Sequence, residues 1–334
     1  MSHSRREPLR PGRTRAVPER ADATAPAPAA NGKLDERSLR ARIDPLRGAP
    51  ALDFPTALAL VRERHGVDFT SARARAGFGR GHLIDVVLAL PGGRNTPEEG
   101  VAAEAFVELV LGEARRADWV DSVTSLAAPR GGLLKVVQAT ADDGRFFPLV
   151  ELAPSVEAAL QGIHAGLPSE PLWALGGEQR WYLFELDVEP AHRYAAQSDV
   201  ALVSTFLPEL LKCFLSGASF ASTRFSRAGE LFAYLKYESG ALDAREALAR
   251  RCLLEDALDA ALVSAQAGRV IGNGMGIVYS YVNLALSDVE RALDVVRSVG
   301  QRIGLSQSTW IQFFDAPLAD AWVGLTSDTP PPAS

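Results

Sequence analysis

The stretch Gly272–Leu325 constrains the fold of this 334-residue chain more than any other part of its sequence. It opens with a glycine-rich lead-in, Gly272–Gly276, and continues with a run of β-branched and aromatic residues that predicts a strand. A capping-box pair, Ser287 and Glu290, then begins a helix whose apolar residues recur at spacings of three and four. In order, the predicted elements are a strand over 277–286, a helix ending at Gly304, and strands over 309–314 and 322–325. The stretch is therefore a strand-helix-strand-strand unit.

The same order of elements occurs three times along the chain, which indicates an internal repeat. The first unit is predicted as strand 83–90, helix 97–116, strand 119–126 and strand 133–139. The second unit is predicted as strand 181–188, helix 200–216, strand 220–225 and strand 230–237. Predicted helices over 154–163 and 243–262 join the units. Together with the first strand of the next unit they complete a ferredoxin-like order, so the predicted fold class is α+β, with antiparallel sheets that carry helices on one face.

Composition divides the chain into a tail and a folded body. Residues 1–33 are rich in Arg, Pro and Ala and cannot form an apolar face, so they are predicted to be disordered. Seven basic and three acidic residues give this tail a net charge of +4. Because the whole chain has a net charge of −6, the body carries −10. A helical lead-in and the first unit are predicted over 34–170, and the second and third units over 171–327, with a boundary at the Pro- and Gly-rich segment 168–177. Residues 328–334 are predicted to form a disordered end.

Several classes of protein are disfavoured by what the sequence lacks. No apolar run approaches the roughly 18 residues of a membrane span, and the N-terminus has no apolar signal-peptide core, so a cytoplasmic protein is expected. Cys213 and Cys252 are too few for a disulfide framework, so reduced thiols are expected. The acidic body and the lack of an RNA-binding aromatic motif argue against nucleic acid as a partner, except for weak contacts of the basic tail.

Two glycine-rich segments, Gly77–Gly81 and Gly272–Gly276, invite comparison with phosphate-binding loops. Each precedes a predicted strand instead of following one, and neither has the full Gly-x-Gly-x-x-Gly spacing, so a dinucleotide fold is rejected. The glycines are predicted instead to form tight turns or to let two backbones approach closely. Nucleophile-elbow, Walker A and zinc-binding motifs are absent from the sequence. No cofactor and no metal site is predicted, although a catalytic triad assembled in space stays open.

The informative feature for function is the alternation of side chains along the predicted strands. In 181–188, 230–238 and 277–286, one set of alternate positions is apolar and the other mixes aromatic and polar residues. The residues predicted to bind a ligand all lie on these mixed faces: Trp181, Glu185, Asp187, Tyr234, Lys236, Tyr279, Tyr281 and Asn283. Rings supply contact area there, and charged groups fix orientation. Solvent exposure explains the same pattern, because one face of an antiparallel sheet is often wet, and Lys236 would then protect a strand edge.

Two functions of different classes are compatible with these faces. The first is a non-catalytic accessory protein, in a biosynthetic or regulatory complex, that binds a small molecule or a peptide and forms a homodimer. In this hypothesis Tyr279 and Tyr281 share one groove with Trp181, Glu185 and Asp187. The alternative is a small-molecule enzyme of the dimeric α+β-barrel type, in which residues such as Glu185, Asp187 and His192 act as acid and base. A deep cavity with convergent titratable groups would favour the enzyme.

Overall fold

The computed structural model describes residues 32–35, 38–39, 49–78, 83–128, 146–177, 179–191, 194–216, 219–239 and 244–332. The predicted disorder of residues 1–31 lies outside these ranges. So does the predicted strand over 133–139. The described part is a mixed α/β fold with two sheets.

Both ends of the described body make contacts that the sequence did not predict. Lys33, assigned to the tail, forms a parallel bridge with Trp322. At the other end Thr329 is buried, and the carbonyl of Pro330 accepts a hydrogen bond from Trp310 Nε1 at 2.6 Å. The predicted boundaries at 33 and 328 therefore each leave out residues that pack on the body.

The first part of the chain folds into a four-stranded sheet with helices on one face. Its elements are α1 (Phe54–His65), β1 (Arg73–Phe78), β2 (Ile84–Pro91), α2 (Pro97–Leu111), α3 (Glu113–Trp119), β3 (Val120–Ala128), β4 (Phe147–Pro148) and α4 (Leu152–Gly166). The strands lie in the order β3-β2-β1-β4; β1 and β2 form an antiparallel pair, and β2 and β3 are parallel. Side chains of α1, α2 and α4 pack with those of β1 and β2 in one core cluster. The predicted strand-helix-strand order of the first unit is found here.

The second part folds into a seven-stranded antiparallel sheet. Its elements are β5 (Tyr182–Glu185), β6 (Val200–Thr205), α5 (Pro208–Ser216), β7 (Leu231–Glu238), α6 (Ala244–Ser264), β8 (Gly268–Gly276), β9 (Tyr279–Leu286), α7 (Val289–Ile303), β10 (Thr309–Phe313) and β11 (Trp322–Gly324). Short 3-10 turns lie at Leu172–Ala174, Ser222–Arg224 and Ala316–Leu318. The strand order is β11-β10-β7-β9-β8-β6-β5.

The β-α-β-β-α-β order occurs once in the described chain, from β7 to β10. In the sheet these four strands lie as β10-β7-β9-β8, so each helix connects two parallel strands that are separated by a third. The predicted repetition of ferredoxin-like units is not confirmed. The second predicted unit fails because Val200–Thr205, expected to begin a helix, is strand β6, and helix α5 starts only at Pro208. The predicted strand over 220–225 contains the 3-10 turn Ser222–Arg224 instead.

The glycine-rich lead-in is itself a strand, which corrects its assignment as a turn. Gly272–Gly276 belongs to β8, which pairs with β9 and β6. A Cβ at Gly272 would lie 2.9 Å from the carbonyl oxygen of Ser204, and one at Gly274 would lie 3.4 Å from the Tyr281 side chain. These glycines therefore admit neighbouring groups that a side chain would displace, which confirms the alternative prediction of close backbone approach.

Helices α6 and α7 cover one face of the larger sheet with aliphatic side chains. Leu254, Leu258 and Leu262 of α6 are fully buried there. Leu293 and Val296 of α7 join the same cluster. As the alternation predicts, Val282, Leu284 and Leu286 of β9 face these helices, whereas Val278 lies in a different cluster. No helix among the described residues combines the length and the apolar character needed to cross a membrane.

Candidate functional site

The opposite face of the larger sheet, here called the second face, carries most of the residues predicted to bind a ligand. Tyr234, Lys236, Tyr279, Tyr281 and Asn283 alternate with the residues that face α6 and α7. The sequence predicted an open, partly wet face. All five are instead buried, with exposed fractions between 0% and 7%. The second face is closed because α5, the loop before β6 and the segment after α5 pack against it.

Asp199 is the centre of the polar contacts beneath this cover. It lies at the end of the loop that precedes β6 and is fully buried. Its Oδ2 accepts hydrogen bonds from the backbone N–H groups of Val278 and Tyr279, each at 2.9 Å. Its Oδ1 accepts a hydrogen bond from the hydroxyl of Tyr281. Burial and this bond raise the pKa of Tyr281 far above its usual value. The carboxylate therefore fastens the loop to β9.

Lys236 connects the same loop to β7 through hydrogen bonds. Its ammonium donates to the carbonyl oxygens of Tyr194 at 3.0 Å and Ala196 at 2.9 Å. It also lies 4.1 Å from the centre of the Tyr279 ring, which is cation–π geometry. Burial lowers the pKa of Lys236 to about 8, while nearby Asp199 opposes that shift. The contacts of Lys236 fix backbone positions and leave its nitrogen enclosed, so it acts here as a structural group.

A cavity of about 300 Å³ lies between this loop, α5 and the second face. Its lining includes Gln197 of the loop, Cys213 and Phe214 of α5, Phe220, Tyr234 of β7 and Phe314. Phe214 is 46% exposed and marks the side that opens to solvent. Most of the lining is apolar or aromatic, which is typical of small-molecule pockets.

Aromatic contacts hold one wall of the cavity in a fixed shape. The ring centre of Phe314 lies 5.0 Å from that of Tyr234 and 5.3 Å from that of Phe220. Phe220 also stacks on Phe225 with 4.7 Å between ring centres. Rings at these distances support one another, so this wall is pre-formed.

Polar groups occur at two places in the lining. The Tyr234 hydroxyl belongs to a side chain that is 4% exposed. Burial raises its pKa well above the usual value, and no hydrogen bond from the described residues contributes to that shift. At the second place Gln197 Nε2 donates to Asn283 Oδ1 at 3.0 Å. Asn283 borders a small void of about 20 Å³ that shares Gln197 and Phe214 with the cavity. The lining thus carries the hydroxyl of Tyr234, which bonds to no described residue, and the amide of Gln197, which is bonded to Asn283.

Trp181, Glu185 and Asp187 do not join the other predicted site residues. All three are exposed, and they lie on the opposite face of β5 from Phe184, which packs with Tyr281 in one cluster. The structure therefore does not bring these three residues together with Tyr279 and Tyr281. The reason is the period of two along a strand: the apolar neighbours of Glu185 point to the second face, so Glu185 itself cannot.

Sequence reasoning missed several groups that build the site. Asp199, Gln197, Phe214, Phe220 and Phe314 were not predicted to take part. They come from segments that were assigned to a loop, a continuous helix and the ends of strands, and no local pattern in the sequence sets them apart. The one available signal was Pro208, which is typical of a first helical turn and separates β6 from α5.

Two further observations limit the functions that this site can have. No group of three or more potential metal ligands occurs within the described ranges. A larger depression, of about 680 Å³, lies at the β11 edge between Lys33–Asp35, α7 and residues 323–327. None of its described lining residues is aromatic, and it contains none of the predicted site residues. The cavity below α5 is the better candidate.

Comparisons with models of known families, with curated proteins and with solved structures find no match for this chain.

Proposed function

We propose that this protein is a non-catalytic binding protein whose cavity below α5 accepts an aromatic or branched aliphatic group of a small molecule or a peptide. The observation that carries the proposal is the pre-formed aromatic cavity with the Tyr234 hydroxyl in its lining. The Tyr234 hydroxyl bonds to no described residue, so it is available to a polar atom of a ligand in the cavity. The expected ligand is therefore an apolar body that carries one hydrogen-bonding group.

The size of the cavity limits the ligand. A volume of about 300 Å³ lies at the low end of the range for small-molecule pockets. One or two fused rings, or a single aromatic side chain of a peptide, fit that volume, whereas a nucleotide with its phosphates does not. Among the described lining residues there is no Lys or Arg side chain that would bind phosphate.

Blocking the cavity mouth tests the proposal directly. Ala319 lines the cavity and is exposed, so Ala319→Trp would fill the opening without disturbing the core. The probes are indole and 4-methylphenol, and their binding is measured by saturation-transfer NMR. We expect a saturation-transfer signal with the wild type and none with Ala319→Trp.

A matched control places the same side chain elsewhere. Ala260 is an exposed residue of α6 outside the cavity, so Ala260→Trp should bind the probes like the wild type. Binding that survives in Ala319→Trp, or a wild type that binds neither probe, would overturn the proposal.

The alternative of a small-molecule enzyme is not favoured by any contact in the described chain. It depended on Glu185, Asp187 and His192 as acid and base. Neither carboxylate lines the cavity, and His192 lies outside the described residues. Lys236 and Asp199 are closer to the cavity, but their polar atoms are bonded to the protein itself. Titratable groups that converge on an open space are what the enzyme requires.

The proposed setting of the protein is a reducing compartment such as the cytoplasm, where it acts as a homodimer. Neither Cys213 nor Cys252 forms a disulfide, which is compatible with such a compartment. Cys213 lines the cavity, and burial raises the pKa of its thiol, so it is a packing group there.

A further inference from the structure

Strand β5 ends the larger sheet with an apolar edge that no described strand covers. It pairs with β6 on one side, and it is the last strand in the sheet order. Trp181, just before it, is 45% exposed, and Leu183 within it is 69% exposed. Exposed, apolar edge strands are normally protected, because their free backbone groups pair readily with another strand.

The hydrogen-bonding pattern between β5 and β6 shows which backbone N–H and C=O groups of β5 point away from the sheet. The N–H of Leu186 donates to the carbonyl of Ala201, at the position that continues the β5-β6 register. In an antiparallel pair such bonded positions alternate, so Phe184 and Tyr182 also bond to β6. The N–H and C=O groups of Leu183 and Glu185 then point away from the sheet, toward solvent.

We infer that a second copy of this chain pairs with the β5 edge in antiparallel fashion, across a two-fold axis that passes beside Leu183. In this register Leu183 faces Leu183 of the second copy, and the two residues exchange both backbone hydrogen bonds. Trp181 faces Glu185 of the second copy on the same side of the sheet. Tyr182 faces Phe184 of the second copy on the other side, which forms an aromatic cross-strand pair. Two seven-stranded sheets become one continuous sheet.

The charges at the two ends of β5 select this occupant. Arg180 precedes the strand, where its guanidinium lies 5.2 Å from the centre of the Tyr182 ring. Glu185 ends the strand, and Asp187 lies two residues beyond it. Antiparallel pairing of identical strands sets the Arg180 end of one copy beside the acidic end of the other, at both ends of the interface. The Arg180 side chain lies on the Tyr182 face and the carboxylates lie on the Leu183 face, so the two ends attract without forming ion pairs. Parallel pairing would place like charges together, so the edge is complementary to itself in one direction only.

The short length of β5 limits the strength of the pairing. A few residues a side bury less than the roughly 1,200 Å² that stable complexes need, so we expect a dimer that dissociates on dilution. The cavity below α5 lies away from this edge, so dimer formation and ligand binding are separate properties.

Sedimentation velocity at increasing protein concentration tests the interface. The wild type should shift from monomer to dimer as concentration rises. Leu183→Lys should remain a monomer at every concentration, because the facing pair of leucines on the two-fold axis becomes two facing charges. The control is Leu253→Lys on α6, since Leu253 is 67% exposed and matches Leu183 in accessibility. It should dimerise like the wild type.

A cysteine at the two-fold position tests the register. Facing residues that exchange both hydrogen bonds have Cα atoms about 5.5 Å apart, which suits a disulfide. Leu183→Cys in a Cys252→Ser background should therefore form a disulfide-linked dimer in air, whereas Leu253→Cys in that background should not. A wild type that stays monomeric at all concentrations overturns the inference, as does a Leu183→Lys variant of unchanged mass. Equal cross-linking of the two cysteine variants would overturn the register. Probe binding by Leu183→Lys should equal that of the wild type, which separates this test from that of the cavity.

Discussion

The two faces of the larger sheet are built from alternate residues of the same strands, yet they are closed in different ways. Toward α6 and α7, strand β7 presents Leu235 and β9 presents Leu284, and aliphatic side chains of the two helices fill the space above them. On the second face the same strands present Lys236 and Tyr281, whose polar atoms bond to a loop. Alternation along a strand thus determines which residues share a face, but it does not determine what covers that face.

The difference explains why the cavity lies on one face and not the other. Flexible aliphatic side chains interdigitate and leave little empty space. The second face is covered by rigid rings and by a loop that is held at fixed points through Lys236 and Asp199, so the cover cannot collapse onto the sheet. The four predictions that follow test this contrast, beginning with the largest expected effect.

Removing the central carboxylate of the second face should destabilise the protein most. In Asp199→Ala, two backbone N–H groups and the Tyr281 hydroxyl lose their acceptor, and Lys236 loses its neighbouring negative charge. We expect a loss of about 3 to 5 kcal/mol in the free energy of unfolding, measured by urea denaturation. Asp187→Ala, which removes an exposed carboxylate, should change it by less than about 0.5 kcal/mol. Similar effects of the two substitutions would contradict the role given to Asp199.

Removing a leucine from the helix-covered face should also destabilise the protein, but without affecting the cavity. Leu293 of α7 is fully buried, so Leu293→Ala should cost about 2 to 5 kcal/mol in a urea titration. Its exposed counterpart on α6, Leu253→Ala, should stay within about 0.5 kcal/mol of the wild type. If the faces are independent, folded Leu293→Ala binds indole as the wild type does. Loss of indole binding in the folded variant would show that they are coupled.

Lys236 should give the second face a pH dependence. Its pKa is about 8 in the folded protein against 10.5 ordinarily, so between these values the unfolded chain holds a proton that the folded protein has lost. The titration of Lys236 should therefore raise the stability by about 1.5 kcal/mol from pH 8 to 9.5, relative to a variant that lacks this lysine. The raised pKa of the Cys213 thiol opposes this rise in both proteins, because the unfolded thiol loses its proton near pH 9.0. Above pH 10 the raised pKa values of Tyr234 and Tyr281 act in the opposite direction, which is why the comparison stops below it.

The matched variant Lys236→Met should lose this rise, when both proteins are unfolded by urea at each pH. Because the substitution removes a buried group that fastens the loop, a direct titration gives a second measurement. The chain has only four lysines, so side-chain NMR resolves them. A Lys236 resonance that titrates near pH 10.5 would show that burial does not set its pKa.

The smallest effect is expected for the Tyr234 hydroxyl. Because no described residue bonds to it, Tyr234→Phe should change the free energy of unfolding by less than about 0.5 kcal/mol. The variant should nevertheless lose the preference that the wild type shows for 4-methylphenol over toluene. A large loss of stability would mean that the hydroxyl belongs to the polar contacts of the second face and not to the cavity.

The elements that the sequence predicted best have strong signals within themselves. Helix α7 and strands β9 and β10 lie close to their predicted ranges, because a capped helix of regular apolar period and flanking β-branched runs admit few alternatives. The cap itself shifted by one residue, since Asp288 and not Ser287 accepts the N-terminal hydrogen bond. Both residue types cap helices, and the sequence alone does not choose between neighbours.

The elements that were missed depend on contacts from distant parts of the chain. Strand β8 was assigned to a turn because its glycines resemble one, although they make room for β6 and for the Tyr281 ring. The site was missed for the same reason. Asp199 and Tyr281, which bond to each other, are 82 positions apart, and no local pattern links them. Tyr234 and Asn283 were each predicted on the mixed face of its own strand, and the sheet pairs the two residues side by side. The loop and helix that turn this face into a cavity could not be predicted.

The bridge between Lys33 and Trp322 has a consequence for the stoichiometry of any assembly. Leu34 donates to the carbonyl of Trp322 at 2.9 Å, and the Lys33 ammonium lies 5.4 Å from the centre of the Trp322 ring, so the β11 edge already has a chain segment upon it. A sheet with two free edges could add copies end to end and grow into a filament. With β11 occupied, the proposed pairing through β5 would leave no further open edge of the seven-stranded sheet among the described residues.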